Sequence, residues 1–348
     1  MLESSDKDKE KKKTFKFKAF SVPFPLDEME ENISINSNAP SNPSKEEQII
    51  NQAFKFHTQG NIAQAAKYYE YFINEGYKDH RVFTNYGAIL ISIGKLKEAE
   101  ISTRKAIELS ANSADAHANL GGILRDLGKL KEAEMHTRKA IELNPSFAEA
   151  YSTLGLILSD LGKLKEAEHS LRKTIKLKPD FYLAYLNLGG VLKDLGQLQE
   201  AKISIHKSIE LNPNLFNSHL LLASILVRQN KLQEAESSTR KSIELNPNLF
   251  NSHFLLASIL IGQKKLQEAI KPLRKTIELN PDFFQAHLNL GAVLKDLGHL
   301  QDAEQSTRKA IALKPDYADA HYNLGNIFRD LGKLKEAEIT TRNAIEFK

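Results

Sequence analysis

The chain of 348 residues contains no cysteine and no tryptophan. Without cysteine, disulfides, thiolate zinc sites and thiol nucleophiles are excluded. No uninterrupted apolar run reaches ~18 residues, so no transmembrane helix is expected. The N-terminus carries charges without an apolar core segment and does not read as a standard signal peptide. A strong charge of one sign is also missing. Lys and Arg number 48 against 44 Asp and Glu, a net charge of only +4, and the two signs interleave along the chain. Binding along a phosphate backbone needs a concentrated basic surface, so a nucleic-acid partner is not expected. The composition predicts a soluble, cytoplasmic protein with no membrane partner.

What is present is a period. The segment Ala148–Phe181, AEAYSTLGLILSDLGKLKEAEHSLRKTIKLKPDF, recurs with a shift of 34 residues from about residue 46 to the C-terminus. A small residue marks the register at Ala53, Gly87, Gly121, Gly155, Gly189, Ala223, Ala257, Gly291 and Gly325. A second small slot falls at Ala65, Ala99, Ala133, Ala167, Ala201, Ala235, Ala269, Ala303 and Ala337. A fixed period in this range is the signature of a stacked array and overrides the two or three globular domains that length alone suggests.

Within one unit, Tyr151, Leu154, Leu158 and Leu161 recur at helical spacing and predict a helix over about 148–161. Gly162 allows a positive φ and ends it. Leu164, Ala167, Leu171 and Ile175 predict a second helix over about 164–177. Pro179 stops that one, because proline has no N–H and pushes Lys178 out of the α region. Gly155 and Ala167 are small where the two helices would cross. Two short helices cannot bury their faces alone, so each unit must pack on its neighbours.

The Leu-Gly pair, the turn glycine, the alanine and the closing Asn-Pro or Lys-Pro, in that order and spacing, resemble the tetratricopeptide repeat. The resemblance spans about residues 46–348. It implies an all-α, right-handed superhelical solenoid of about nine helix–turn–helix repeats, at 46–79, 80–113, 114–147, 148–181, 182–215, 216–249, 250–283, 284–317 and 318–348. The aromatic slots of the family are altered, with Thr103, Thr137, Thr239, Thr307 and Thr341 in the second helix. The repeats at 216–249 and 250–283 replace the turn glycine by Asn230 and Lys264. Mild strain or a shifted helix end is expected at Lys264.

Residues 1–45 read as a disordered or extended segment with a linker. Its first 13 residues are charged, Phe15 to Leu26 roughly alternate, and Asp27, Glu28, Glu30 and Glu31 form an acidic cluster. The segment would cover the end of the array or lie in its groove. At the other end, Ile339, Ile345 and Phe347 are expected to leave a helix face uncovered. A homodimer through that terminal repeat, cover by a neighbouring protein, and a domain that relatives carry and this chain lacks are the three accounts.

In the family the first helices line the concave surface. The residue before each Leu-Gly pair is Asn85, Asn119, Thr153, Asn187, Leu221, Leu255, Asn289 or Asn323. An exposed asparagine row can donate and accept hydrogen bonds along the main chain of an extended peptide. This row is similar to the asparagine ladder in the repeat arm of O-GlcNAc transferases, with Leu221 and Leu255 as interruptions. One residue earlier stand Leu186, Leu220, Phe254, Leu288 and Tyr322, read as an apolar stripe facing the same groove. Chaperone-tail-binding relatives carry Lys and Arg in early groove slots, where this chain has Thr84, Ala118, Ser152, Leu186 and Leu220, so that activity is not implied.

His117, His219, His253, His287 and His321 recur one period apart, too far for a shared metal with ~2 Å bonds, and read as packing residues. The Glu100/Arg104 type of pair, four residues apart, reads as helix-surface charge worth about 0.2–0.5 kcal/mol each. Gly122 to Lys129 looks superficially like a phosphate loop, but it has one residue too many and Leu130 stands in place of Ser/Thr. No paired carboxylates, zinc helix or nucleophile elbow stands out. The sequence predicts a non-catalytic scaffold without metal or cofactor that binds a protein or extended peptide. The alternative is the substrate-recruiting arm of an O-GlcNAc-transferase-like enzyme whose catalytic domain is not in this chain.

Overall fold

The structure, a computed structural model, describes residues 44–347. The expectations for Phe15–Leu26 and the acidic cluster lie outside the described residues. The described residues divide into two compact units, one ending at Pro179 and the other beginning at Asp180. The described residues of the first unit form eight helices: α1 (Lys45–Thr58), α2 (Ile62–Asn74), α3 (His80–Ser92), α4 (Leu96–Leu109), α5 (Ala114–Asp126), α6 (Leu130–Leu143), α7 (Ala148–Asp160) and α8 (Leu164–Leu177). The second unit has ten: α9 (Tyr182–Asp194), α10 (Leu198–Leu211), α11 (Phe216–Arg228), α12 (Leu232–Leu245), α13 (Phe250–Gly262), α14 (Leu266–Leu279), α15 (Phe284–Asp296), α16 (Leu300–Leu313), α17 (Ala318–Asp330) and α18 (Leu334–Glu346). No strand occurs among the described residues. Consecutive helices pair as hairpins, and within each unit the second helix of one hairpin also packs on the first helix of the next.

The hairpin closes because its crossing is nearly empty of side chains. A Cβ built on Gly155 would lie 2.6 Å from Leu171 Cγ, inside contact distance. Ala65, Ala99, Ala133, Ala167, Ala201, Ala235, Ala269 and Ala303 are fully buried opposite these positions. The first helix of a hairpin ends in a left-handed turn. Gly162 has φ 77°, and the replacements adopt the same region, at φ 56° for Asn230 and 62° for Lys264. The turn therefore survives at Lys264, and α13 keeps 13 residues like the first helices α11 and α15, so the expected shift of the helix end does not occur. What remains is a lysine held where a Cβ is unfavourable. Lys178 is extended at φ −139°, ψ 85°, as the following proline requires.

Two sets of contacts tie one hairpin to the next. Each repeated histidine reaches back over the loop before its helix. The Nε2 atoms of His117, His219, His253, His287 and His321 lie 2.7–3.1 Å from the carbonyl oxygens of Ala111, Pro213, Pro247, Pro281 and Pro315. A carbonyl only accepts, so these rings carry a proton on Nε2 and latch the loop. On four of the second helices, the glutamate of the charged pair has a second partner on the next hairpin. Glu134 accepts from Arg138 on its own helix at 2.8 Å and from Lys163 of the next hairpin at 2.9 Å. The same bridge joins Glu100 to Lys129, Glu236 to Lys265 and Glu304 to Lys333.

Candidate functional site

The asparagines of the first helices fall into two groups. In the first unit they are internal. Asn85 and Asn119 are buried, and Asn85 shares a hydrogen bond with Tyr69. Tyr69 is itself buried, its hydroxyl is 2.9 Å from His57 Nδ1, and burial pushes its phenol above the ordinary range. In the second unit Asn187 is buried and its Oδ1 has no hydrogen-bond partner among the described residues. Asn289 and Asn323 are half-buried, with side chains that reach the surface. The row read from the sequence as exposed is thus accessible at Asn289 and Asn323 and not at Asn85, Asn119 or Asn187. Within each unit the first helices of successive hairpins also touch one another.

The apolar stripe divides in the same way. Leu186, Leu220 and Leu288 are core residues. Phe254 is half-buried, packed edge-on against Phe283 with ring centroids 4.8 Å apart. Tyr322 alone of the five is open, at 56% exposure. The expected continuous apolar surface is therefore not present.

What the second unit does present is a strip on α17. Tyr322 and Arg329 are seven residues apart and share a helix face, as do Asn323 and Asp330. Half-buried Asn326 lies between them. Arg329 Nε is 3.6 Å from Asp330 Oδ1, an exposed pair. On α15 the equivalent residues are half-buried Asn289 and the Lys295–Asp296 pair at 3.2 Å. The strip combines an aromatic ring, amides that both donate and accept, and charges of both signs. Nearby on α18, Leu334, Ile339 and Ile345 are exposed, the last at 72%.

The first unit carries a different feature that sequence periodicity did not reveal. His117 on α5 and His136 on α6 stack with ring centroids 5.2 Å apart and Nδ1 atoms 3.0 Å apart. Because His117 carries its proton on Nε2, its Nδ1 accepts and His136 Nδ1–H donates. Burial holds both rings below the ordinary histidine range. His136 occupies a slot that is serine in α4, α8, α10, α12 and α16, so its replacement was visible in the sequence, but not its partner. Arg125 is buried as well, with Nε 2.6 Å from Asp160 Oδ2. No group of three or more His, Asp or Glu suited to a metal ion occurs among the described residues, and none of their helices is long and apolar enough to cross a membrane.

Stacked helix hairpins repeating every 34 residues define a helical-repeat protein. Comparison with known families matches the tetratricopeptide repeat over 80–113, 182–215, 216–249 and 318–348, over 114–147 and over 136–169. A TPR repeat match covers 257–298 and 294–332. The chain belongs to the tetratricopeptide repeat family. Among solved structures it is similar to the Cut9–Hcn1 hetero-tetramer of the APC/C, with TM-score 0.61 and 15% identity over 81% of this chain and 56% of that one. It is also similar to PilF of Pseudomonas aeruginosa, at TM-score 0.55 and 20% identity over 60% of this chain and 94% of that one. A monomeric IFIT1 mutant solved with Gppp-AAAA aligns at TM-score 0.52 and 18% identity over 85% of this chain and 76% of that one. At these identities the likeness is one of fold. No curated protein matches the sequence significantly.

Proposed function

We propose that the protein is a non-catalytic scaffold that binds an extended peptide or protein segment on the first-helix faces of its second unit. The contacts assigned are Asn289, Asn323 and Tyr322, with half-buried Phe254 in the place equivalent to Tyr322 two hairpins earlier. One observation carries this reading. Asn289 and Asn323 hold the same place one period apart, both keep accessible side chains, and exposed Tyr322 stands beside Asn323. Amides so repeated can satisfy the N–H and C=O groups of an extended strand without reading its side chains. An exposed tyrosine supplies rigid contact area of the kind that dominates interfaces. Buried Asn85, Asn119 and Asn187 act in packing in this reading, and so do Leu186, Leu220 and Leu288.

The test is a peptide selected by display against the full chain and titrated by fluorescence anisotropy. Tyr322→Ala combined with Asn289→Ala and Asn323→Ala is expected to weaken it about tenfold or more, with an unchanged melting temperature. Equal affinity for the triple variant would overturn the reading. Truncating Leu220 is not a useful probe, because removing that core side chain would cost about 2–5 kcal/mol of stability. Self-association through exposed Leu334, Ile339 and Ile345 of α18 belongs to the same proposal. Light scattering with a mass that rises with concentration supports it, and a strict monomer at high concentration removes it.

A further inference from the structure

Six second helices carry a repeated glutamate–arginine pair, and one helix, α14, keeps the arginine without the glutamate. In α4, α6, α8, α12, α16 and α18 the arginine is held by a glutamate four residues earlier, at 2.7–3.0 Å. In α14 the glutamate is replaced by Ile270. Arg274 is left exposed and without an ion pair among the described residues, and the same holds for Lys271. Both stand at a groove of about 1030 Å³ between α12 and α14, floored by α13. Its apolar lining is Ile243, Leu256, Leu260 and Ile270.

The other charges at the rim cancel among themselves. Arg240 is bridged to Glu236 at 2.8 Å and lies 4.0 Å from Glu268. Lys275 is bridged to Glu278 at 2.5 Å, and Glu244 to Lys241 at 2.8 Å. What remains uncompensated is positive and sits beside an apolar recess. Arg274 can take a carboxylate through two parallel hydrogen bonds, and Lys271 adds a point charge.

We propose that this groove is a second docking site, for a partner segment in which an aliphatic or aromatic side chain is followed directly by carboxylates. The apolar side chain enters between Ile243 and Ile270, and the carboxylates meet Arg274 and Lys271. The site lies on α12, α13 and α14; none of the first reading's contacts, Phe254 of α13 included, lines it, and it does not depend on them.

The probe is a labelled peptide, GSLFDEEGS, titrated against the full-length protein, with GSLFKKKGS as control. The acidic peptide is expected to bind about tenfold more tightly than the lysine control, and more weakly as salt rises. Ile270→Glu restores the glutamate found in six other second helices, so the fold should tolerate it. It re-pairs Arg274 and puts a negative charge in the apolar lining, and is expected to weaken the acidic probe about tenfold. Arg274→Gln removes the charge with little change of shape and should narrow the gap between the two peptides. No binding of GSLFDEEGS at millimolar protein, equal binding of the two peptides, or full affinity in Ile270→Glu would each overturn the proposal. Loss of the probe in Tyr322→Ala with full affinity in Ile270→Glu would overturn it too, while leaving the first-helix site standing.

Discussion

Gly155 shows how a single hydrogen in place of a side chain sets the geometry of a hairpin. Its α carbon faces Leu171 so closely that a leucine there has nowhere to go. Gly155→Leu is expected to lower stability by about 1–3 kcal/mol through overpacking, read as a fall in melting temperature. Gly155→Ala should cost much less, since Ala257 occupies the same place in the hairpin whose second helix carries Leu273. Lys264 works in the opposite direction. At φ 62° it pays a conformational penalty that glycine escapes, so Lys264→Gly is expected to stabilise the chain by about 0.5–1 kcal/mol despite glycine's greater freedom when unfolded. A lower melting temperature for that variant would show that the left-handed turn is not strained. Such positions were legible in the sequence because the constraint is local: small residues, the turn and the proline act within one hairpin.

Helices α5 and α6 meet at the His117–His136 contact, which makes their packing sensitive to acid. The unfolded histidines titrate near pH ~6.5, and burial holds both rings lower in the folded state. As pH falls below ~6.5 the unfolded chain binds protons first, so stability is lost over that window. A proton on His117 Nδ1 would also replace the hydrogen bond by two facing donors. Around the pair, Lys139 acts on His117 and Arg104 on His136 to disfavour protonation, while Glu132 favours it at His136. His136→Ser, the residue of the equivalent slot elsewhere, is expected to flatten the fall in melting temperature between pH 7.5 and 5.5. An unchanged slope would remove the pair as its cause. At lower pH the glutamate bridges follow. Lys129, Lys163 and Lys333 hold Glu100, Glu134 and Glu304 below the ordinary carboxylate range, against the opposing effect of burial and with help from an arginine. Their contribution is present above about pH 4.3 and lost as pH falls through the depressed values. The four-residue pairs on one helix were readable from spacing. The lysine of the next hairpin was not, because its reach depends on how the hairpins stack.

Across the whole molecule, the period reveals nearly every helix and tells little about which groove residues stay open. Asn85 and Asn289 occupy the same place in the repeat, yet one is sealed against Tyr69 and the other reaches the surface. The difference arises from the neighbouring helix, and no residue within the repeat records it. Hydrogen–deuterium exchange on the full chain, with and without a selected peptide, tests the placement of the binding face most directly. Added protection is expected in α15 and α17, around Asn289 and Tyr322–Asn323, with α3 and α5 unchanged. Protection centred on Asn85 and Asn119 instead, or none in α15 and α17 at saturating peptide, would contradict it.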